Sequence, residues 1–196
     1  MKKLKIHISG ISSISSNTLR LIEDKFKLEY VTLDSNKQLQ DSLITCDVFW
    51  FRLNHNLTRA VLSKAKCKFI VCAVTGLDHI DVAACRDFGI SVISLKNEVD
   101  FLKEVRATAE HTIGLMLTLI RRTKNAYSHV ESGNWDRTLF EGSELYNKKI
   151  GILGFGRLGE IVANYTKAFG MQFYYYDIND KQTDIDYISC ASIEEL

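Results

Sequence analysis

Residues 149–177 open with Lys149-Ile150-Gly151-Ile152-Leu153-Gly154-Phe155-Gly156-Arg157-Leu158-Gly159. They continue through Ile161, Val162, Tyr165 and Phe169 to Phe173-Tyr174-Tyr175-Tyr176-Asp177. An apolar run enters a G-x-G-x-x-G, an apolar period of helical spacing leaves it, and an aromatic run closes on a carboxylate. Strand, glycine turn, helix, strand and acid are the parts of a dinucleotide-binding βαβ unit. Gly154 is expected to make the turn, Gly156 to let the backbone approach a pyrophosphate, and Gly159 to seat the helix on the strand. A helix start offers unpaired N–H groups and a partial positive charge, which makes the backbone of Arg157 and Leu158 the candidate phosphate donor. Asp177 stands where a carboxylate accepts both ribose hydroxyls and repels a 2′-phosphate; Ile178, Asn179 and Asp180 follow without an arginine. The expected cofactor is therefore NAD and not NADP. In the competing reading the glycines serve packing only and Asp177 caps a strand end.

Upstream of this stretch, residues 1–99 alternate short β-branched and aromatic runs with helix-like segments. Strands are expected at residues 5–8, 29–32, 47–51, 69–74 and 91–94, and helices at 17–25, 36–44, 58–66 and 81–88. Several of these helices open on Asn, Thr or Asp, as an N-cap requires. Regular β-α alternation implies parallel sheets covered by helices. From about Asp100 the pattern changes. Residues 104–122 form a long, nearly all-apolar segment (Val105, Ala109, Ile113, Leu115, Met116, Leu117, Leu119, Ile120), expected to be one helix buried on most sides between two domains. A polar stretch with Ser132-Gly133-Asn134 separates it from the second α/β unit: strand 149–153, helix 158–169, strand 172–177. The fold class is thus α/β with two parallel-sheet domains, 1–99 and 100–196, the second an incomplete Rossmann domain.

Composition excludes several classes. The hydrophobic fraction of 46% is globular. A formal charge of +1 gives no electrostatic reason for a nucleic-acid or anionic-membrane partner. The most apolar stretch, Ile113 to Ile120, is too short to span a bilayer, and the start lacks a signal-peptide core, so a cytoplasmic location is expected. Five cysteines without a CxxC pair read as reduced apolar residues rather than a disulfide framework or metal site. At the far end, residues 187–190 suggest a third strand, and Ser192 with Glu195 an S-x-x-E box opening a helix at which the chain stops. The sequence is expected to be C-terminally truncated.

Taken together, these residues resemble the D-isomer-specific 2-hydroxy-acid dehydrogenases, of which phosphoglycerate dehydrogenase is a member. Trp135-Asp136-Arg137, Gly142, Glu144-Leu145 and the run from Lys148 to Asp177 are similar to that family's NAD-domain signature. Thr75-Gly76-Leu77-Asp78-His79-Ile80-Asp81 and Gly89-Ile90-Ser91-Val92 resemble its substrate-domain loop and next strand; Ala107-Thr108-Ala109-Glu110-His111-Thr112 resembles the start of its interdomain helix. The resemblance implies a flavodoxin-like substrate domain, hydride transfer between NAD and a small 2-hydroxy or 2-keto acid, and a homodimeric parent built on residues 104–122.

It further implies that backbone N–H groups at Thr75 and Gly76 grip the substrate carboxylate, that Arg52 stands near the substrate, and that Thr108 meets the nicotinamide side of the cofactor. For Arg52 a surface role at a strand end, and for Thr108 a capping role, remain open. Val74 replaces a glycine common in the family. The family's catalytic arginine, glutamate and histidine lie beyond residue 196, so no catalytic residue is assigned. His79 is expected to order its loop and His111 to be a hydrogen-bonded interdomain histidine. The alternatives to a dehydrogenase fragment are a non-catalytic NAD-binding module, a truncated remnant, or a subunit completed by another polypeptide.

Overall fold

The computed structural model describes residues 3–179 and 187–196. The chain folds as two compact units, Met1–Val99 and Asp100–Leu196.

In the first unit β1 (Leu4–Ile8), α1 (Ser16–Lys25), β2 (Phe26–Tyr30), α2 (Asn36–Thr45), β3 (Val48–Phe51), α3 (Arg59–Leu62), β4 (Phe69–Cys72), α4 (Val82–Asp87) and β5 (Ser91–Ser94) follow in turn. Among the described residues the strands form one sheet of order β2-β1-β3-β4-β5, with every pairing parallel. That is the flavodoxin-like order, whose strand sequence reverses between β1 and β3. Alternation along β3 sorts the core: Phe49 and Phe51 face a cluster with Leu39, Leu43, Leu57, Ile70 and Cys72, whereas Val48 joins Ile6 and Ile8 on the other side. Side-chain caps start the helices, with Ser15 on Thr18, Ser35 on Gln38, Thr58 on Val61 and Asp81 on Ala84.

Three elements differ from the sequence expectation. The strand expected over 69–74 ends at Cys72, onto whose carbonyl the Val74 N–H turns back. Strand β2 begins at Phe26, because α1 passes into extended backbone at that residue and Phe26 pairs with Leu4. Helix α3 stops at Leu62, where Ala65 turns back onto the Leu62 carbonyl.

The second unit continues with α5 (Val99–Lys103), which straddles the unit boundary, then α6 (Ala107–Ile120), α7 (Thr123–Glu131), a 3-10 turn (Arg137–Phe140), β6 (Lys149–Leu153), α8 (Arg157–Ala168), β7 (Gln172–Tyr176) and β8 (Ile188–Ser189). The strands pair in parallel as β6-β7-β8, the first half of a Rossmann order.

The helix expected over residues 104–122 is present as α6, with narrower bounds, and α5 precedes it. Left-handed Arg122 (φ 52°) starts α7 where the sequence suggested only a polar stretch. As a correction, α6 is not buried on most sides within this unit: Ala109 is its one fully buried residue, while Leu115 and Leu119 are 57% and 80% exposed. The reason is that α8 packs against one flank only, through Ala109, Ile113, Ile161 and Val162. The helix expected at Ser192 is also corrected. Residues 191–195 form bends and turns, and the Glu195 carboxylate accepts the Ala191 N–H at 2.8 Å. One turn cannot sustain a helix by itself.

Candidate dinucleotide site

The glycine loop leaves β6 with Gly154 at φ +91°, a conformation costly for any residue with a Cβ. Its N–H donates to the Tyr176 carbonyl at 2.8 Å, which ties the loop to the end of β7. Phe155 is completely buried among Phe173, Tyr175 and Tyr187, with ring centroids 5.5, 4.3 and 5.3 Å away. The residue between the first two glycines is therefore the anchor that sinks the loop into the core.

A Cβ on Gly159 would lie 2.6 Å from the Gly154 carbonyl oxygen and 3.3 Å from Ile152 Cγ2, so this glycine sets the approach of α8 to β6. A Cβ on Gly156 would meet nothing within 4 Å. Gly156 is also the N-cap of α8 and supplies no side-chain acceptor, so the first-turn N–H groups, including those of Arg157 and Leu158, lack the usual cap. Room beside Gly156 and donors at a helix end fit a pyrophosphate.

Asp177 lies beside this loop. Its Oδ2 accepts the Phe155 N–H at 2.7 Å and its Oδ1 accepts the Asn179 N–H at 2.9 Å. These bonds orient the carboxylate beside the loop. The structure thus brings Gly154, Gly156, Arg157, Leu158, Gly159 and Asp177 together. Asp180, part of the argument against a 2′-phosphate, lies outside the described residues.

The Arg157 side chain has a role that motif reading missed. Its Nη1 donates to the carbonyls of Leu102 and Val105, each at 2.9 Å, pinning the start of α8 to the segment between α5 and α6. A half-buried arginine one residue after the N-cap was the available signal.

Thr108, in the first turn of α6, is exposed; its carbonyl accepts the Thr112 hydroxyl at 2.9 Å, and the N-cap position of α6 makes no side-chain capping bond. His111 is exposed within its unit, with no hydrogen bond among the described residues. Within its unit α6 turns that face away from α8.

In the first unit, Thr75 and Gly76 are exposed just after β4, and their N–H groups meet no protein acceptor among the described residues. Val74 closes a tight turn onto Cys72 at 2.8 Å, and its carbonyl accepts the Leu95 N–H at 3.1 Å. Arg52 is exposed at the end of β3, its carbonyl accepting the Cys72 thiol. His79 packs edge-on to Phe51 at 5.4 Å, has Nε2 3.4 Å from Cys72 Sγ, and accepts the Leu57 N–H on its carbonyl at 2.8 Å. These contacts hold the 75–81 loop against β3. A cavity of about 590 Å³ at the strand ends, lined by Asp34, Ser35, Asn54, His55 and Thr58, was not foreseen. Its two helix ends are already capped by Ser35 and Thr58, which leaves the dinucleotide loop the better-equipped anion site. Among the described residues no group of His, Cys, Asp and Glu could hold a metal ion.

Residues 113–196 match the family model described as D-isomer specific 2-hydroxyacid dehydrogenase, NAD binding domain. The chain is 34% identical over 165 residues to a D-3-phosphoglycerate dehydrogenase of Methanocaldococcus jannaschii, covering 84% of this chain and 30% of that one. It is 31% identical to a 2-hydroxyacid dehydrogenase homolog of Haemophilus influenzae, covering 89% and 53% respectively. Among solved structures it resembles an Aquifex aeolicus D-lactate dehydrogenase complexed with NAD and lactic acid (TM-score 0.77, 26% identity, 95% of this chain and 56% of that chain). In fold alone it also matches a putative family member from Polaromonas (TM-score 0.83, 24% identity, 97% and 61%). The two-domain parallel α/β fold and the glycine-loop site define a dinucleotide-dependent class of protein. Within that class residues 113–196 match the NAD-binding domain of the D-isomer-specific 2-hydroxyacid dehydrogenase family, and NAD is the cofactor of that domain. It spans between about a third and three fifths of the length of these relatives.

Proposed function

We propose that this chain is part of an NAD-dependent oxidoreductase that transfers hydride between NAD and a small 2-hydroxy or 2-keto acid. The observation that carries the reading is the uncapped α8 N-terminus beside Gly156, with the Asp177 carboxylate held next to it by the Phe155 N–H. In this reading residues 100–196 are the nucleotide domain and 1–99 the substrate domain. Gly154, Gly156 and Gly159 shape the loop, the N–H groups of Arg157 and Leu158 take the pyrophosphate, Asp177 takes the adenosine ribose, and Thr108 meets the nicotinamide side. When bound, NAD supplies a two-electron hydride acceptor.

The unpartnered N–H groups of Thr75 and Gly76 support a grip on the substrate carboxylate that needs no particular side chain. Arg52 would add positive charge near it. Among the described residues no histidine stands with a carboxylate partner at the glycine loop, and no general acid-base residue is assigned. His79 is committed to Phe51 and Cys72.

Five free cysteines, four of them buried, support a reducing cytoplasmic setting. Exposed Leu115 and Leu119 on α6 support a homodimeric parent. No described helix is long and apolar enough to cross a membrane.

The test is calorimetric titration with NAD, paired with an assay of NADH formation from a panel of 2-hydroxy acids. The isolated chain is expected to bind NAD weakly and turn nothing over, and the full-length polypeptide to do both. Turnover by neither, with tight NAD binding by the isolated chain, would favour the alternative of a non-catalytic NAD-binding module.

A further inference from the structure

Cys46, the C-cap of α2, and Cys67 each stand two residues ahead of neighbouring strands. Strand β3 pairs with β4 in parallel, Val48 opposite Phe69 and Phe49 opposite Ile70. Carried back two residues on each chain, the same register sets Cys46 opposite Cys67. Neighbouring strands run about 4.8 Å apart, and disulfides form across Cα separations of about 4.4–6.8 Å.

The backbone around both cysteines is held by the last turn of α2. Cys46 N–H donates to the Ser42 carbonyl at 3.1 Å, and the Leu43 carbonyl accepts the N–H groups of Lys66 and Cys67 at 2.9 and 3.0 Å. Both side chains enter the same core cluster, only 4% and 3% exposed. No other side chain of the dehydrogenase reading depends on them.

We propose that Cys46 and Cys67 form a reversible thiol–disulfide site, closed by a small peroxide and opened by a dithiol reductant. In the first step the Cys67 thiolate attacks hydrogen peroxide, the O–O bond breaks, and Cys67 becomes a sulfenic acid with release of hydroxide. The Cys46 sulfur then attacks the Cys67 sulfur, the S–O bond breaks, and the second oxygen leaves as hydroxide, which takes up the Cys46 proton to become water. In sum two thiols and one peroxide give one disulfide and two waters.

The order of attack follows from the asymmetry of the pair. The neighbouring Cys46 thiol holds Cys67 below its ordinary range, while Cys67 and burial push Cys46 far up. The thiolate is the nucleophile, so Cys67 reacts first. Cys85 is the third buried thiol nearby; burial pushes it up to about 11, so it is the poorer competitor. The closed loop contains β3, Arg52 and α3, so oxidation staples the strand that ends at Arg52.

The experiment is hydrogen peroxide treatment of the native chain, then alkylation of remaining thiols after denaturation, and peptide mapping by mass spectrometry. The expected result is loss of two of the five free thiols, a linked peptide pair containing Cys46 and Cys67, and reversal by dithiothreitol. Cys85→Ser should leave the link intact, and Cys67→Ser should abolish it. Since a buried Ser could unfold the chain, the wild-type map decides alone. A Cys67–Cys85 link, or a native protein that keeps both thiols while Cys190 oxidises, would overturn the proposal.

Discussion

The Phe155 N–H and the Asp177 carboxylate are joined by a 2.7 Å hydrogen bond that locks the glycine loop to the end of β7. One side chain buries in the aromatic core and the other points an acid at the loop, so the bond couples the stability of the loop to the position of the charge. Asp177→Ala removes a charge-assisted bond of about 1.5–3 kcal/mol and the ribose acceptor together. In the full-length protein it should lower both the unfolding midpoint of the nucleotide domain and NAD affinity, read by thermal scanning and calorimetry. An unchanged NAD affinity would count against Asp177 as the ribose acceptor.

Gly156 and Gly159 should separate binding from stability. Gly159→Ala forces a Cβ to 2.6 Å from the Gly154 carbonyl, an overpacking error of about 1–3 kcal/mol visible in denaturant unfolding. Gly156→Ala places its methyl in open space, so the unfolding midpoint should barely move while NAD binding weakens. Equal loss of stability in both variants would mean that the glycines serve packing alone.

Arg157→Ala should destabilise the second unit by about 2–4 kcal/mol, since two part-buried charged contacts are lost and only the Leu102 oxygen keeps a donor, the Val105 N–H at 3.1 Å. Hydrogen exchange of the amides in 102–106 should accelerate in this variant more than exchange in β7. Uniform acceleration across the unit would show that the arginine is not a local clamp.

Stability should fall as pH drops below the ordinary histidine range. His7 is 3% exposed, with Nδ1 2.6 Å from Ser42 Oγ and Nε2 3.7 Å from Glu29. Burial, then the Lys5 charge, hold its pKa below 6.5 against the opposing pull of Glu29. His55 is lowered too, by burial. A folded pKa below the unfolded one means that the unfolded chain takes up protons first, so each histidine costs stability below about pH 6.5 and nothing well above it. Urea unfolding between pH 8 and 5 should show a steeper loss for wild type than for His7→Gln; parallel curves would exclude His7 as a source.

Much of the nucleotide unit was legible because its signals are local. Glycines at fixed spacing, an apolar period and a terminal acid fall within one βαβ unit, and β6 and α8 lie within a residue of their expected bounds. In the first unit β5 agrees at both ends and β2 does not, since its start depends on Phe26 reaching Leu4, a pairing made across a helix. The candidate substrate residues came through family likeness, because exposed N–H groups at Thr75 and Gly76 leave no mark on side-chain chemistry.

Local pattern in the chain was enough to specify the two α/β units, the glycine loop and the acid at its side, because hydrophobic period and turn chemistry act over a few residues. What those residues do to one another was settled by long-range packing. Arg157 serves as a clamp because residues 102 and 105 fold back to it, α6 breaks from α5 there, and Cys46 and Cys67 enter one core cluster because β3 and β4 share a register. Such relations join residues far apart in the chain, and only the folded arrangement brings them within reach.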